Sequence, residues 1–167
     1  LTGHLVLSSL HTNNAISAVP RLVDMGVDPY LIAPTLILSI AQRLARKIYP
    51  SSKKLVPVDE SLKIQIDAQF KDLPSEFKKE IPLKDEIYDA VPSPECPSGT
   101  KGRVAIFEMF KVDKDLITTI LKNPTNSEIY KTVRSKGMLT MREDAILKAM
   151  QGLIPYKEIY NFTNENE

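Results

Sequence analysis

His4–Leu10, His-Leu-Val-Leu-Ser-Ser-Leu, is a short run of strand formers and small residues with almost no polar interruption. Near-continuous apolar character of this kind is what a strand carries when it is buried on both faces of a parallel sheet. A helix is expected at once after it. Asn13 and Asn14 are capping types, and Ala15, Ile16, Ala18, Val19, Leu22, Val23 and Met25 recur at helical spacing until Gly26 ends the pattern. Pro20 inside that pattern predicts a kink. A buried strand followed by an amphipathic helix makes an α/β fold the first expectation.

Asp28 and Pro29 read as an N-cap followed by proline at the first helical position. The next turns, Leu31–Ala41, are apolar nearly all round and predict a buried helix. Gln42–Tyr49 reads as a second strand, with continuation of the helix as the alternative. Pro50–Gly102 differs in composition, being rich in lysine, proline and acidic residues, and has the character of an inserted subdomain with one amphipathic stretch, Ser61–Phe70. Arg103–Val112 returns to strand character. Three helices are predicted after it: Lys114–Lys122 opened by Asp113, Asn126–Lys136 opened by Thr125, and Met141–Gln151 opened by Thr140. Glu128 and Glu143 stand three residues after the two threonines, the spacing of capping boxes. Gly137 and Gly152 fall where helix C-caps belong, and Tyr156–Asn161 reads as a short final helix. The expected division is therefore 1–49, a sheet portion; 50–102, the insert; 103–112, a returning strand; 113–161, a helical bundle; and 162–167, a disordered tail.

Composition excludes several classes. Hydrophobic residues at 43% and charged residues at 26% are close to ordinary folded domains, which argues against disorder. The 22 basic and 21 acidic residues are interspersed and sum to +1, so no nucleic-acid partner is implied. The longest apolar run, Tyr30–Ala41, is far short of the roughly 20 residues a membrane-spanning helix needs, so no transmembrane segment is expected. Cys96 is the only cysteine, which leaves no internal disulfide and fits a reducing, cytoplasmic setting. Leu1 reads as the approach to a strand rather than as a signal peptide, so the chain is expected to begin mid-protein.

Thr2-Gly3-His4-Leu5-Val6-Leu7-Ser8-Ser9-Leu10-His11-Thr12-Asn13 resembles the histidine box of the type II secretion and type IV pilus family of hexameric ATPases. Four further blocks match in order and spacing: Arg21 to Ala33, Ala41 to Lys47, Gly102 to Glu108 and Gly137 to Asp144. The resemblance implies the C-terminal half of a RecA-like parallel-sheet ATPase domain, with Leu5–Leu10 as an internal strand. No G-x-x-x-x-G-K-[ST] occurs in the chain, so the backbone cradle for phosphates and its lysine are absent from it. ATP and magnesium are expected in the intact protein and none on this chain alone. The family often carries two C-x-x-C pairs suited to zinc beside the insert. Tyr49–Lys53 has no cysteine and Cys96 has no partner at that spacing, so no zinc and no other metal is expected.

His11 is placed by this reading at the C-terminal end of its strand, where ligands bind in open α/β sheets, and is read as a phosphate sensor. The alternative is a histidine that caps the following helix. His4 lies at the other end of the strand, roughly 20 Å away at about 3.3 Å per residue, and is assigned a neighbouring subunit or a strand-start role. Arg21, Arg43 and Arg103 are nucleotide or interface candidates because they lie inside the matched blocks, although most arginines are solvated. Glu108 has two readings, one orienting an arginine or a magnesium shell and one as an edge carboxylate facing water. The resemblance further implies a homo-hexameric motor that couples ATP hydrolysis to export of pilin-like subunits through an inner-membrane platform protein, cytoplasmic and peripheral at that membrane. The rival reading is a non-catalytic protein-interaction module.

Overall fold

The alternation of side chains in Leu38–Ile48 organises the molecule. In the computed structural model, which describes residues 3–162, this segment is strand β1, antiparallel to β4 (Thr100–Lys111) with Leu38 opposite Lys111 and Arg46 opposite Arg103. Ser39, Ala41 and Ala45 on β1 and Ile106, Glu108 and Phe110 on β4 point inward, and their partners in the pattern, Leu38, Ile40 and Leu44, point out and are exposed. A second antiparallel pair joins β2 (Lys53–Pro57) to β3 (Glu86–Ala90). Among the described residues both sheets are two-stranded and antiparallel, so the expected parallel sheet is not seen.

Helices close the inward face of the ribbon. At one end α1 (Ala18–Asp24), α2 (Pro29–Thr35), α5 (Lys114–Lys122) and α6 (Asn126–Arg134) bury Val19, Ile32, Leu116, Ile120, Ile129 and Val133 against Phe110. At the other, α7 (Met141–Met150) carries Met141, Ala145, Ile146, Ala149 and Met150 into a core shared with Ala45, Ile106 and Ile87. Ile66 and Phe70 reach the same core from α3 (Glu60–Gln69) and the residue after it, followed by α4 (Ser75–Lys78). Segment 50–102 is thus packed on α7 through a common core. A 3-10 turn, Tyr156–Asn161, follows α7.

Several expectations need correction. Residues 4–10 carry no strand, and Leu5, Val6 and Leu7 are 77%, 78% and 91% exposed, because no neighbouring strand among the described residues pairs with them. The helix after Asp28 stops at Thr35 instead of running to Ala41. Pro34 withholds an N–H there, and the β-branched Ile37 and Ile40 favour a strand, so an apolar run without clear period resolves as β1. It is also only partly buried: Ile32 and Ala33 are inside, whereas Tyr30 and Leu31 are exposed. Pro20 produces no interior kink, since it is the third residue of α1, where backbone N–H groups lack intrahelical acceptors anyway.

The caps divide in the same way. Asp28, Asp59 and Asp113 accept from Tyr30, Leu62 and Leu116 N–H groups at 2.9, 2.7 and 3.1 Å. Thr140 and Glu143 complete a reciprocal capping box at α7. Thr125 makes no side-chain cap, and Glu128 pairs instead with Lys131 at 2.7 Å. Gly26, Gly137 and Gly152 follow their helices at positive φ, as expected. Phe162, expected in a disordered tail, is buried in the α7 core, and residues 163–167 lie outside the described residues.

The two cores are joined by a buried ion cluster. Arg134 on α6, 3% exposed, donates to both carboxylate oxygens of Glu143 on α7, to Asp72 after α3, and to the Met138 carbonyl. Deleting one member of a buried pair strands the other charge, which costs about 3–5 kcal/mol. Glu143→Ala, which also opens the α7 cap, is therefore expected to lose at least that much in chemical denaturation. Lys63→Ala, breaking the exposed 3.3 Å pair with Asp85, is expected to change stability by less than about 1 kcal/mol.

Candidate functional site

The loop that carries His11 is held from below and open above. Its Thr12 hydroxyl donates to the Asn14 carbonyl at 3.0 Å, and the Asn14 side chain accepts from the Ser17 N–H at 2.8 Å. Asn14, and not His11, thus caps this turn. From the ribbon, Ser39 donates to the Ala15 carbonyl at 2.8 Å, and Glu108 accepts from the Ala15 N–H at 2.9 Å. Both polar side chains come from the inward faces of β1 and β4, so the loop's backbone is satisfied by strands more than 20 residues away in sequence.

The upper side of this loop and α1 form a hollow of about 240 Å³ lined by His11, Thr12, Asn13, Arg21, Asp24 and Asn126. His11 and Arg21 are exposed at its wall, with Asn126 contributed by the start of α6. Two cationic or hydrogen-bonding groups and two amides facing one hollow suit an anionic oxygen cluster, with Asp24 the opposing charge at its rim. Of the residues singled out in the sequence, His11 and Arg21 are brought together here. His4 is exposed and takes no part, and Arg43 and Arg103 are exposed on the ribbon.

Glu108 fits neither reading made from the sequence. It is 5% exposed, with no water-facing edge position, and its carboxylate accepts from the Ala15 N–H instead of pairing with an arginine. Burial pushes its carboxyl above the usual range, backbone N–H groups, that of Ala15 foremost, oppose the shift, and the nearby Glu143 charge reinforces it. The strand pattern hid this, because a glutamate between Ile106 and Phe110 in a period of 2 is placed inward only by the register.

Sequence reasoning missed Arg134, Asp72, Ser39 and Asn126. Ser39 left a faint signal, a hydroxyl in an otherwise apolar run; Asn126 left none. Where segment 50–102 leaves and rejoins the ribbon, Ser52 is fully buried and donates to the Ser93 hydroxyl at 2.9 Å. The Tyr49 N–H donates to the Gly99 carbonyl at 3.1 Å and the Val91 N–H to the Ser52 carbonyl at 2.9 Å. Hydroxyl and backbone bonds close this junction, with the buried Cys96 sulfur 3.5 Å from the Ser98 hydroxyl and the Thr100 carbonyl. Among the described residues no group of three or more His, Cys, Asp or Glu side chains is placed to hold a metal ion, and no helix is long and apolar enough to cross a membrane.

The family described as "Type II/IV secretion system protein" matches residues 1–161. The chain belongs to that family. This secretion-family chain is 36% identical over 98% of its length to the type IV pilus assembly ATPase PilB of Acinetobacter baylyi, covering 27% of that protein. It is 34% identical over 99% of its length to PilB of Thermus thermophilus, covering 18% of it. To the type II secretion system ATPase E of Vibrio cholerae it is 35% identical over 99% of its length, covering 31%. The secretion-family chain thus spans less than a third of each of these relatives.

A carboxyl whose pKa is higher in the folded than in the unfolded chain contributes stability below its unfolded value, and loses it as pH rises through the folded one. Glu108, with an ordinary value of 4.5, should therefore add a downward slope to stability above that pH. Urea midpoints measured from pH 4.5 to neutrality are expected to fall for wild type relative to Glu108→Gln as pH rises, because the neutral side chain lacks that slope. Parallel curves would show that Glu108 titrates as it does in the unfolded chain.

Proposed function

We propose that this chain is the phosphate-responsive C-terminal portion of a motor ATPase of type II secretion or type IV pilus assembly. The observation that carries the reading is the meeting of His11 and Arg21 in one polar hollow, on a loop whose backbone is fixed from the ribbon below. His11 donates a hydrogen bond to the terminal phosphate of ATP held by the rest of the protein, or to a water beside it, and Arg21 offsets its charge. Loss of that phosphate changes the contacts of the loop and shifts α1, which follows it directly. Family membership and relatives that are ATPases of these machines support the motor role.

The residues present suit part of one anion and not a whole nucleotide. The hollow is open, Asp24 occupies part of its rim, and the chain holds no P-loop sequence. The phosphate cradle and the magnesium site belong to the remainder of the protein on this reading, and the 167 residues alone neither bind ATP tightly nor hydrolyse it. The assembled protein is a homo-hexamer, cytoplasmic at the inner membrane, whose domain motion drives pilin-like subunits through a platform protein. Arg43 and Arg103, exposed on the ribbon, are available to a neighbouring subunit, as is His4.

In the longer protein that carries the P-loop, His11→Ala is expected to lower ATP turnover at least tenfold, the loss of a charge-assisted contact worth about 1.5–3 kcal/mol, with a smaller change in ATP affinity. Its melting temperature should match the parent, because His11 is exposed and Asn14 makes the cap. Steady-state phosphate release and nucleotide titration on the same folded preparation check this. Full turnover in a variant that melts like the parent would make His11 a solvated surface residue.

A further inference from the structure

A second hollow, of about 210 Å³, lies where segment 50–102 packs on α7, and it shares no lining residue with the one at His11. Its apolar part is built from the core itself. Ile66 on α3 and Met150 at the end of α7 are buried members of that core, 4% and 3% exposed, yet both line the hollow, with Val58 and Leu83 beside them. One wall is α3 and the other is the run 83–85, held in place where the Val58 N–H donates to the Asp85 carbonyl at 2.9 Å, one step beyond the β2–β3 ladder. Four charged residues, Lys63, Asp67, Lys84 and Asp85, line the same hollow. Lys63 and Asp67 stand four residues apart on α3, the spacing of a helical ion pair, but Lys63 reaches to Asp85 instead, at 3.3 Å. That leaves the Asp67 carboxylate and the Lys84 ammonium, both on exposed residues, without a hydrogen bond or an ion pair among the described residues.

One unpaired cation and one unpaired anion beside an apolar floor are the complement of a zwitterion that carries an apolar group. We infer that this hollow is a binding site for a free α-amino acid with an apolar side chain, the carboxylate on Lys84, the ammonium on Asp67 and the side chain against Ile66 and Met150. Size sets the class. At about 210 Å³ the hollow is below the roughly 300 Å³ at which sites for drug-sized ligands begin, so it suits a single residue and not a nucleotide. A phosphate would meet Asp67 and Asp85 as well as the two lysines, and like charges repel it. An apolar side chain from the middle of a partner's chain brings neither free charge, and would leave Asp67 and Lys84 as they are. The head of an amino acid satisfies both at once through charge-assisted hydrogen bonds. His11 takes no part in this site.

The test follows the backbone amides of the 167-residue chain by NMR during titration with L-leucine, glycine, N-acetyl-L-leucine and L-leucine amide. L-leucine is expected to shift the amides of Val58, Asp67, Leu83 and Lys84 along a saturable curve, with glycine binding at least tenfold more weakly. Each blocked derivative should bind at least fivefold more weakly than L-leucine, since it lacks one charged contact. Lys84→Gln should weaken L-leucine at least fivefold and bring it level with L-leucine amide. Asp67→Asn should do the same and bring it level with N-acetyl-L-leucine. Both residues are exposed, so both variants should melt like the parent. Absence of a saturable shift up to the solubility of L-leucine overturns the assignment, as does glycine binding equally well. Blocked derivatives that bind wild type as tightly as L-leucine, or an affinity unchanged in either variant, overturn it too, because the charged groups then read nothing of the ligand.

Discussion

A single guanidinium holds the two halves of this molecule in register. Arg134 is buried on α6, and its donors reach Glu143 on α7, Asp72 beyond α3 and the carbonyls of Met138 and Gln69. No apolar side chain supplies that many directional contacts, and a planar fork of five donors is suited to them. Both carboxylates offset the desolvation penalty of the buried guanidinium, and they come from segments that also share the apolar core around α7. Tyr130 adds a hydrogen bond to the second oxygen of Asp72. Burial raises and these donors lower the Asp72 carboxyl, with the donors prevailing. The cluster therefore fixes how the α1, α2, α5 and α6 group sits against the α7 core, and with it where the hollow lies.

The sequence was most informative where structure is local. The aspartate caps, the glycine stops, the Thr140–Glu143 box, the returning strand and the C-terminal helices were legible because each depends on residues within a few positions. Leu31–Ala41 was misjudged because an apolar run without a period does not distinguish helix from strand, and the register that separates Ser39 and Ala41 from Leu38 and Ile40 is set by β4, more than 60 residues later. His4–Leu10 was misjudged for a related reason. An apolar segment proposes burial, but only a neighbouring strand makes it a strand.

The candidate site divides along the same line. His11 and Arg21 lie ten residues apart on one loop and helix, and their meeting follows from that helix. Family resemblance brought them forward; composition did not. Glu108 and Ser39, which hold the loop, and Arg134, which holds the cores together, work across long separations and carry no local signature. Charged residues inside an apolar strand pattern are the nearest thing to a sequence signal for such roles.

The two edges of the ribbon differ. On the outer side of β4, Asp144 accepts from the Phe107 N–H at 2.8 Å, Lys148 donates to the Ala105 carbonyl at 2.9 Å, and the two side chains pair with each other. Helix α7 thus spends a salt bridge on occupying backbone groups that a further strand would need. On β1, Glu158 and Leu153 take the Arg46 and Ile48 N–H groups, and among the described residues no strand other than β4 pairs with Leu38–Leu44. Polarity of this kind makes the ribbon a terminus rather than a midpoint. A further strand would find backbone partners beside β1 rather than β4, and the exposed Leu38, Ile40 and Leu44 lie on the outer face of the ribbon next to that edge.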